Sequence, residues 1–366
     1  MQVRTSQKVG SVYADIRRRI EAGEWKKGER LPTAADLAVD FGCSAGVVSK
    51  AIAMLAHERF VEQKTKIGTR VLSGAPTSTS SSSMNAFSFI YPSRRHEGIS
   101  RLARGFETAA HSAGRQVVML SYGLDFQKEV EFISRLIEFD VRGAVIYPIL
   151  ASAADQIRFS QLVLNARFPI VLAEVNLLGM ERPSVTIDGH HAGYTMTRHL
   201  LEGGSRRIGF LANDSRVTSI RDRYLGYRAA MESAGITIDP KWVCIDSLFN
   251  PDFEHPLVEP AELGSRYLKS CGHLDAVVCA NDFIALGLIK AAAEAGINVP
   301  RDLKVTGMDD IAAANLGDTP LTTYHSPFEE MGAKTFSLLD AVYQKQKLDS
   351  LETQLRGTLI IRASSL

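Results

Sequence analysis

With 366 residues, 45% of them apolar, and a formal charge of +1, the chain is too long for one hydrophobic core and too apolar to stay unfolded, so at least two packed domains are expected. The near-neutral total hides an asymmetry, because residues 1–75 hold 13 Lys or Arg against 8 Asp or Glu and only that end is basic. Four cysteines, Cys43, Cys244, Cys271 and Cys279, form neither a CxxC pair nor a disulfide framework, which points to a reducing compartment.

The first ten residues are polar and lack the apolar core of an export signal, and no apolar run approaches the roughly 20 residues of a membrane span, so a soluble cytoplasmic protein with no membrane partner is predicted. Over residues 9–22 the apolar Val9, Val12, Tyr13, Ile16 and Ile20 recur at three- and four-residue spacing, the mark of a first helix. Gly23 and Gly28 end it. Thr33 is an N-cap for a second helix over 34–41, with Leu37, Ala38 and Phe41 turned inward and Gly42 as its stop. Ser44 caps a third helix, whose stripe of Val47, Val48, Ala51, Ile52 and Leu55 leaves Ala45, Gly46, Ser49 and Lys50 facing out. Residues 60–63 and 69–72 alternate like two strands, joined by a turn over 64–68 that carries Lys64 and Lys66. Three helices and a basic hairpin make a winged helix-turn-helix over residues 1–75, with the third helix as the reading element.

The serine-rich stretch 76–84 has almost nothing to bury and reads as a flexible tether. Beyond it, short β-branched runs at 87–91, 117–120, 144–147, 170–173, 208–211, 276–280 and 304–307 alternate with helix-length segments, so the larger part is α/β with parallel sheets. Catalytic signatures are missing: no GxGxxG follows a strand, Gly203-Gly204 sits at a helix end, and neither a Walker A nor a GxSxG motif occurs. Adjacent His190 and His191 point apart on a helix, and His199 is read with them as solvated or capping. No catalytic residue, metal or cofactor is therefore expected.

Residues 7–72 resemble the GntR-type winged helix through Tyr13, Ile16, Gly23, Gly28, Leu31-Pro32-Thr33, Leu37-Ala38, Phe41-Gly42, Ser44, Val48, Ala51, Leu55 and Gly68-Thr69. Residues 85–366 resemble the LacI/GalR-type effector domain, a relative of periplasmic sugar-binding proteins. That match runs through Gly105-Phe106, residues 185–188, Gly193, residues 206–210, 221–227 and 280–282, residues 285–287, Val299-Pro300, residues 307–310 and 321–323, and Ile361-Arg362. The arabinose-type repressors of bacilli join the same two modules. The resemblance implies a sugar-responsive transcription factor acting as a homodimer on double-stranded operator DNA, a repressor released by a small mono- or oligosaccharide. A cytoplasmic α/β protein or enzyme that binds or modifies sugars, with degenerate DNA binding, is the alternative.

It also implies residue roles. DNA would be met by Thr33, Ser44, Ala45, Gly46, Ser49, Lys50, Lys64, Lys66, Gly68 and Arg70. The family commonly has arginine where this chain has Ala35, Ala45 and Ser49, so a different operator preference follows. The effector would be held by Glu174, Arg223, Asn281 and Asp309, with Ser326 where the family often has glutamine, Arg94 from the loop 93–97, and Phe249 stacked on a sugar's apolar face. Asp282 and Asp310 are read as caps or anchors. Lobe 1 would span about 85–187 and 326–354, and lobe 2 about 188–325 and 355–366. Ile284, Leu288 and Ala291, on a helix over 284–295, would contribute to the dimer contact.

Overall fold

The computed structural model describes residues 2–57, 60–64, 68–72, 86–123, 126–136, 141–148, 150, 152–166, 168–177, 179–213, 218–246 and 254–366. The tether 76–84, Lys66 and Phe249 lie outside the described residues, as does the side chain of Lys64. The chain divides into two compact units, Met1–Ser82 and Ser83–Leu366.

In the first unit, α1 (Gln2–Glu21), α2 (Ala34–Asp40) and α3 (Ala45–His57) precede a hairpin of β1 (Val61–Lys64) and β2 (Gly68–Val71). The α1 helix begins seven residues earlier than the apolar period at Val9, in a stretch with no apolar stripe to reveal it. Ile16, Ile20, Leu37, Val48, Ala51, Leu55, Val61 and Val71 are buried together, so all three helices and the hairpin share one core. Thr33 and Asp36 cap α2 reciprocally: the Thr33 hydroxyl accepts from the Asp36 N–H at 3.2 Å, and the Asp36 carboxylate accepts from the Thr33 N–H at 3.1 Å. Gly68 opens β2 at φ +96°, a conformation that any Cβ would strain.

The second unit begins with β3 (Ala86–Tyr91), α4 (Glu97–Ser112), β4 (Gln116–Ser121), α5 (Phe126–Leu136), β5 (Gly143–Ile146), α6 (Ala153–Asn165), β6 (Ile170–Ala173) and β7 (Ser184–Ile187). It continues with α7 (Gly189–Glu202), β8 (Ile208–Asn213), α8 (Thr218–Ser233), β9 (Val243–Asp246), α9 (Val258–Ser270), β10 (Ala276–Cys279), α10 (Asp282–Glu294), β11 (Lys304–Met308) and β12 (Thr322–His325). After α11 (Phe328–Tyr343) come β13 (Glu352–Leu355) and β14 (Thr358–Ile360). The first sheet has the order β13-β7-β6-β5-β3-β4, parallel throughout. The second has the order β14-β12-β11-β10-β8-β9 and is parallel except for β14, which runs against β12.

Each sheet is the centre of a lobe, and the chain passes between sheets after β7, after β12 and after β13. The three connections are bonded to one another: the Asp188 N–H donates to the Leu355 carbonyl at 2.8 Å, Arg356 Nε to the Asp188 carboxylate at 2.9 Å, and the Gly357 N–H to the Tyr324 hydroxyl at 2.7 Å. Three linked crossings are a hinge about which two rigid lobes can rotate. Helices α4 and α11 lie so close that a Cβ on Gly105 would meet the Glu329 carbonyl, and one on Gly332 the Leu102 carbonyl.

One expectation is corrected here. Ile284, Leu288 and Ala291 are 1%, 0% and 3% exposed and pack with Leu263, Leu303 and Val305, so they belong to the core of their own lobe and not to a surface for a second copy. Among the described residues, no single helix is long and apolar enough to cross a membrane.

Candidate effector cleft and nucleic-acid interface

The amphipathic pattern of α3 buries Val47, Val48, Ala51, Ile52 and Leu55, which leaves Ser44, Ala45, Gly46, Ser49 and Lys50 exposed on its outer side. Lys50 is the long hydrogen-bond donor of that side and is flanked by small residues. Arg70 and Gly68 are exposed on the hairpin. Thr33 is also exposed, but its hydroxyl is engaged in capping α2, accepting from the Asp36 N–H and donating to the Asp36 carboxylate at 2.6 Å.

In the second unit the carboxyl ends of the parallel strands carry the polar groups, where open α/β sheets present ligand sites. Glu174 follows β6 at φ +61°; its Oε2 accepts from the Ile187 N–H at 3.3 Å, and its Oε1 lies 3.7 Å from Arg223 Nη2 of the other lobe. Arg223, on α8, donates through Nη1 to the Ala280 carbonyl at 2.6 Å. Its Nε is buried without a hydrogen-bond partner among the described residues. Asp309 follows β11 and accepts from the Ser326 hydroxyl at 3.3 Å. All four side chains are buried.

Burial holds the Glu174 carboxyl up at about 7, opposed by the Arg223 cation and reinforced by the Asp309 charge. Burial likewise raises Asp309, against the pull of Arg223 and His96. Tyr147, just past β5, has its phenol pushed up by burial and by Glu174 and Asp309. His96, just before α4, is held down by burial against Asp309 and Glu97, and its ring lies 5.7 Å from that of Phe283 in the other lobe. The result is a buried group of two carboxyls, one guanidinium and a phenol, in which the guanidinium retains one buried Nε without a partner among the described residues.

Three further candidates are bonded to the chain's own groups. Asn281 is the N-cap of α10, and its Oδ1 accepts from the Ile284 N–H at 2.9 Å, so that oxygen is engaged in the helix and not free for a ligand. Arg94 is exposed and donates through Nε to the hydroxyl of the buried Tyr91, at the carboxyl end of β3, at 2.8 Å. Ser326 is fully buried, and its hydroxyl donates to Asp309. Asp282 and Asp310 are anchors: Asp282 accepts from the Ile311 N–H at 2.9 Å and the Thr323 hydroxyl at 2.5 Å, while Asp310 pairs with Arg362 at 2.7 Å and His325 at 2.9 Å. Two of the three histidines of α7 are engaged singly, His191 with the Tyr324 hydroxyl and His199 with the Ser365 hydroxyl, each at 2.8 Å. Sequence reasoning passed over Tyr147 and Arg101 and placed His96 only within the loop 93–97. For Tyr147 the available signal was its place at the carboxyl end of the run 144–147.

Residues 8–71 match the bacterial regulatory proteins of the gntR family, and residues 197–365 match the periplasmic binding protein-like domain. The chain is 31% identical over 266 residues to the HTH-type transcriptional regulator RegA of Clostridium saccharobutylicum, an alignment covering 72% of this chain and 77% of that one. It is 26% identical over 376 residues to the arabinose metabolism transcriptional repressor of Geobacillus stearothermophilus, covering 100% of this chain and 99% of that protein. The solved structure of the transcriptional regulator CelR in complex with cellobiose has the same fold, with a TM-score of 0.67 at 20% identity over 91% of this chain and 100% of that one.

A winged helix and a two-lobed ligand clamp in one chain define a ligand-responsive DNA-binding protein. The chain belongs to the bacterial HTH-type transcriptional regulators, with a DNA-binding domain of the gntR family over residues 8–71 and a periplasmic binding protein-like domain over residues 197–365.

Proposed function

We propose that the protein is a cytoplasmic homodimeric repressor that leaves its operator when a small carbohydrate closes the two lobes. The observation that carries this reading is the Glu174–Arg223–Asp309 group: two buried carboxyls, both raised by burial, accompany a guanidinium whose buried Nε has no partner among the described residues. Adjacent sugar hydroxyls both donate and accept, so one diol can supply the carboxyls and take the guanidinium proton. On this reading residues 1–75 bind DNA, 76–84 are the tether, and 85–366 sense the effector, with lobe 1 at about 85–187 and 326–354. Two copies would read two half-sites of a symmetric operator.

The test is a thermal-shift panel of pentoses, hexoses, disaccharides and their phosphates against the full-length protein. A true effector at a hundred times its Kd stabilises by about 2.7 kcal/mol and returns from the incubation unmodified. A panel without any shift, or a sugar converted to product, overturns the reading. For the DNA end, Lys50→Ala is expected to weaken binding to an operator selected from random duplexes by about 1–3 kcal/mol, and to relax preference at one base pair. Unchanged affinity in a mobility-shift titration would move base reading away from the outer side of α3.

A further inference from the structure

Arg101 lies on α4 in the lobe of the first sheet, is 7% exposed, and has an acceptor for every N–H of its guanidinium. Nε–H is shared by the two Glu329 oxygens, both at 3.1 Å. Nη1 donates to the carbonyls of Asp309 at 3.1 Å and Asp310 at 3.4 Å. Nη2 donates to the Ser326 carbonyl at 3.1 Å and meets His325 Nε2 at 3.3 Å. A guanidinium can only donate, so His325 Nε2 is the acceptor and Nδ1 carries the proton given to Asp310 at 2.9 Å. One side chain of the first lobe is thus bonded to the loop after β11 in the second lobe and to the β12 crossing.

That loop is a strained one. Asp309 and Asp310 have φ of +114° and +54°, positive values that side-chain-bearing residues keep only where the surroundings fix them. Their amides are held within the second lobe, Asp309 by the Tyr324 carbonyl and Asp310 by the Thr323 hydroxyl. Their carbonyls are held by Arg101, from the first. The same helix grips the loop a second time, because Glu97 Oε2 accepts from the Ala312 N–H at 2.8 Å.

We propose that Arg101 is a positioning residue of the effector site: it latches the lobes through the backbone of Asp309, Asp310 and Ser326, and so sets the Asp309 carboxylate that receives the ligand. Only the ligand part rests on the reading of the cleft given above. The latch itself is made of the chain's own groups, so closed lobes meet the effector with Asp309 already placed, and opening them breaks the Arg101 bonds to the second lobe together. Arginine is needed because its fork spans acceptors on three backbone positions, which a single ammonium cannot do.

Hydrogen exchange on the ligand-free, full-length protein tests this without knowledge of the effector. In Arg101→Ala, amides of residues 309–312 are expected to exchange at least about tenfold faster, with β10 unchanged. Arg101→Lys, which keeps the charge without the fork, should leave the same amides fast. Glu329→Gln, at a half-exposed position, should show the same local pattern at smaller amplitude, and it serves if Arg101→Ala does not fold. A role confined to packing would instead raise exchange along α4 and α11 and leave 309–312 protected; that result overturns the proposal. Because no sugar enters the measurement, failure of the sugar reading and failure of the latch are separately visible.

Discussion

Arg223→Ala is expected to abolish the thermal response to the effector while the protein stays folded. The guanidinium stands between the two lobes, with Nη1 on the Ala280 carbonyl, Nη2 3.7 Å from Glu174, and a buried Nε that has no described partner. A hydrogen bond to a charged group contributes about 1.5–3 kcal/mol, so losing two from ligand to guanidinium lowers affinity at least about a hundredfold. The fold survives because Glu174, already raised to about 7, can take up a proton once its counter-charge is gone. Arg223→Lys keeps the charge but not the planar fork, and should recover only a fraction of the affinity. Titration calorimetry with the sugar found in the panel checks this. An alanine variant that binds as tightly as the wild type would place the effector elsewhere.

How far the fold was legible depends on where a strand sits. The seven β-branched runs all became strands of the two sheets; six of these are interior and apolar along their length, as a parallel strand covered on both faces must be. Of the edge strands β4, β9, β13 and β14, which are at most half-buried, only β4 was read as a run: β13 holds a single apolar residue and β14 is three residues long. The antiparallel placement of β14 follows from the third crossing, a tertiary fact absent from local pattern. A stripe such as Ile284, Leu288 and Ala291 states that a face is covered, not what covers it.

The site was legible where chemistry and position coincide. Glu174 and Asp309 are carboxylates immediately after buried strands, which is where a parallel sheet presents ligand groups. Asn281 occupies the same kind of position, yet an asparagine before a helix is equally a cap, and here its oxygen takes that role. Arg101 was the hardest to see. Its partners lie more than 200 residues away along the chain, and its one local sign is a cation on the helix side that also carries Gly98, Leu102 and Gly105. A charged residue on a buried stripe requires partners, and only the folded chain names them.

Stability of the effector domain is expected to fall as pH rises, through one carboxyl that takes no part in the cleft. Glu129, in the first turn of α5, is 0% exposed, and both its oxygens lack a hydrogen-bond partner among the described residues. Burial first, and then the Asp155 carboxylate in the first turn of α6, raise its pKa from 4.5 to about 8. Between those values the folded chain keeps a proton that the unfolded chain has released, so the slope of unfolding free energy with pH is negative. The contribution is complete below about 4.5 and is lost as pH rises through about 8, a difference on the order of 5 kcal/mol. Glu129→Gln removes the titration and keeps the shape, and Glu129→Leu also removes the buried polar atoms. Urea midpoints of wild type and both variants between pH 5 and 9 isolate the effect, since Glu174 and the other raised carboxyls titrate in all three proteins and cancel in the difference. The variants should gain on the wild type steadily from pH 5 to 8 and hold a constant lead above it; a difference that does not change with pH would mean that Glu129 is ionised in the folded chain throughout.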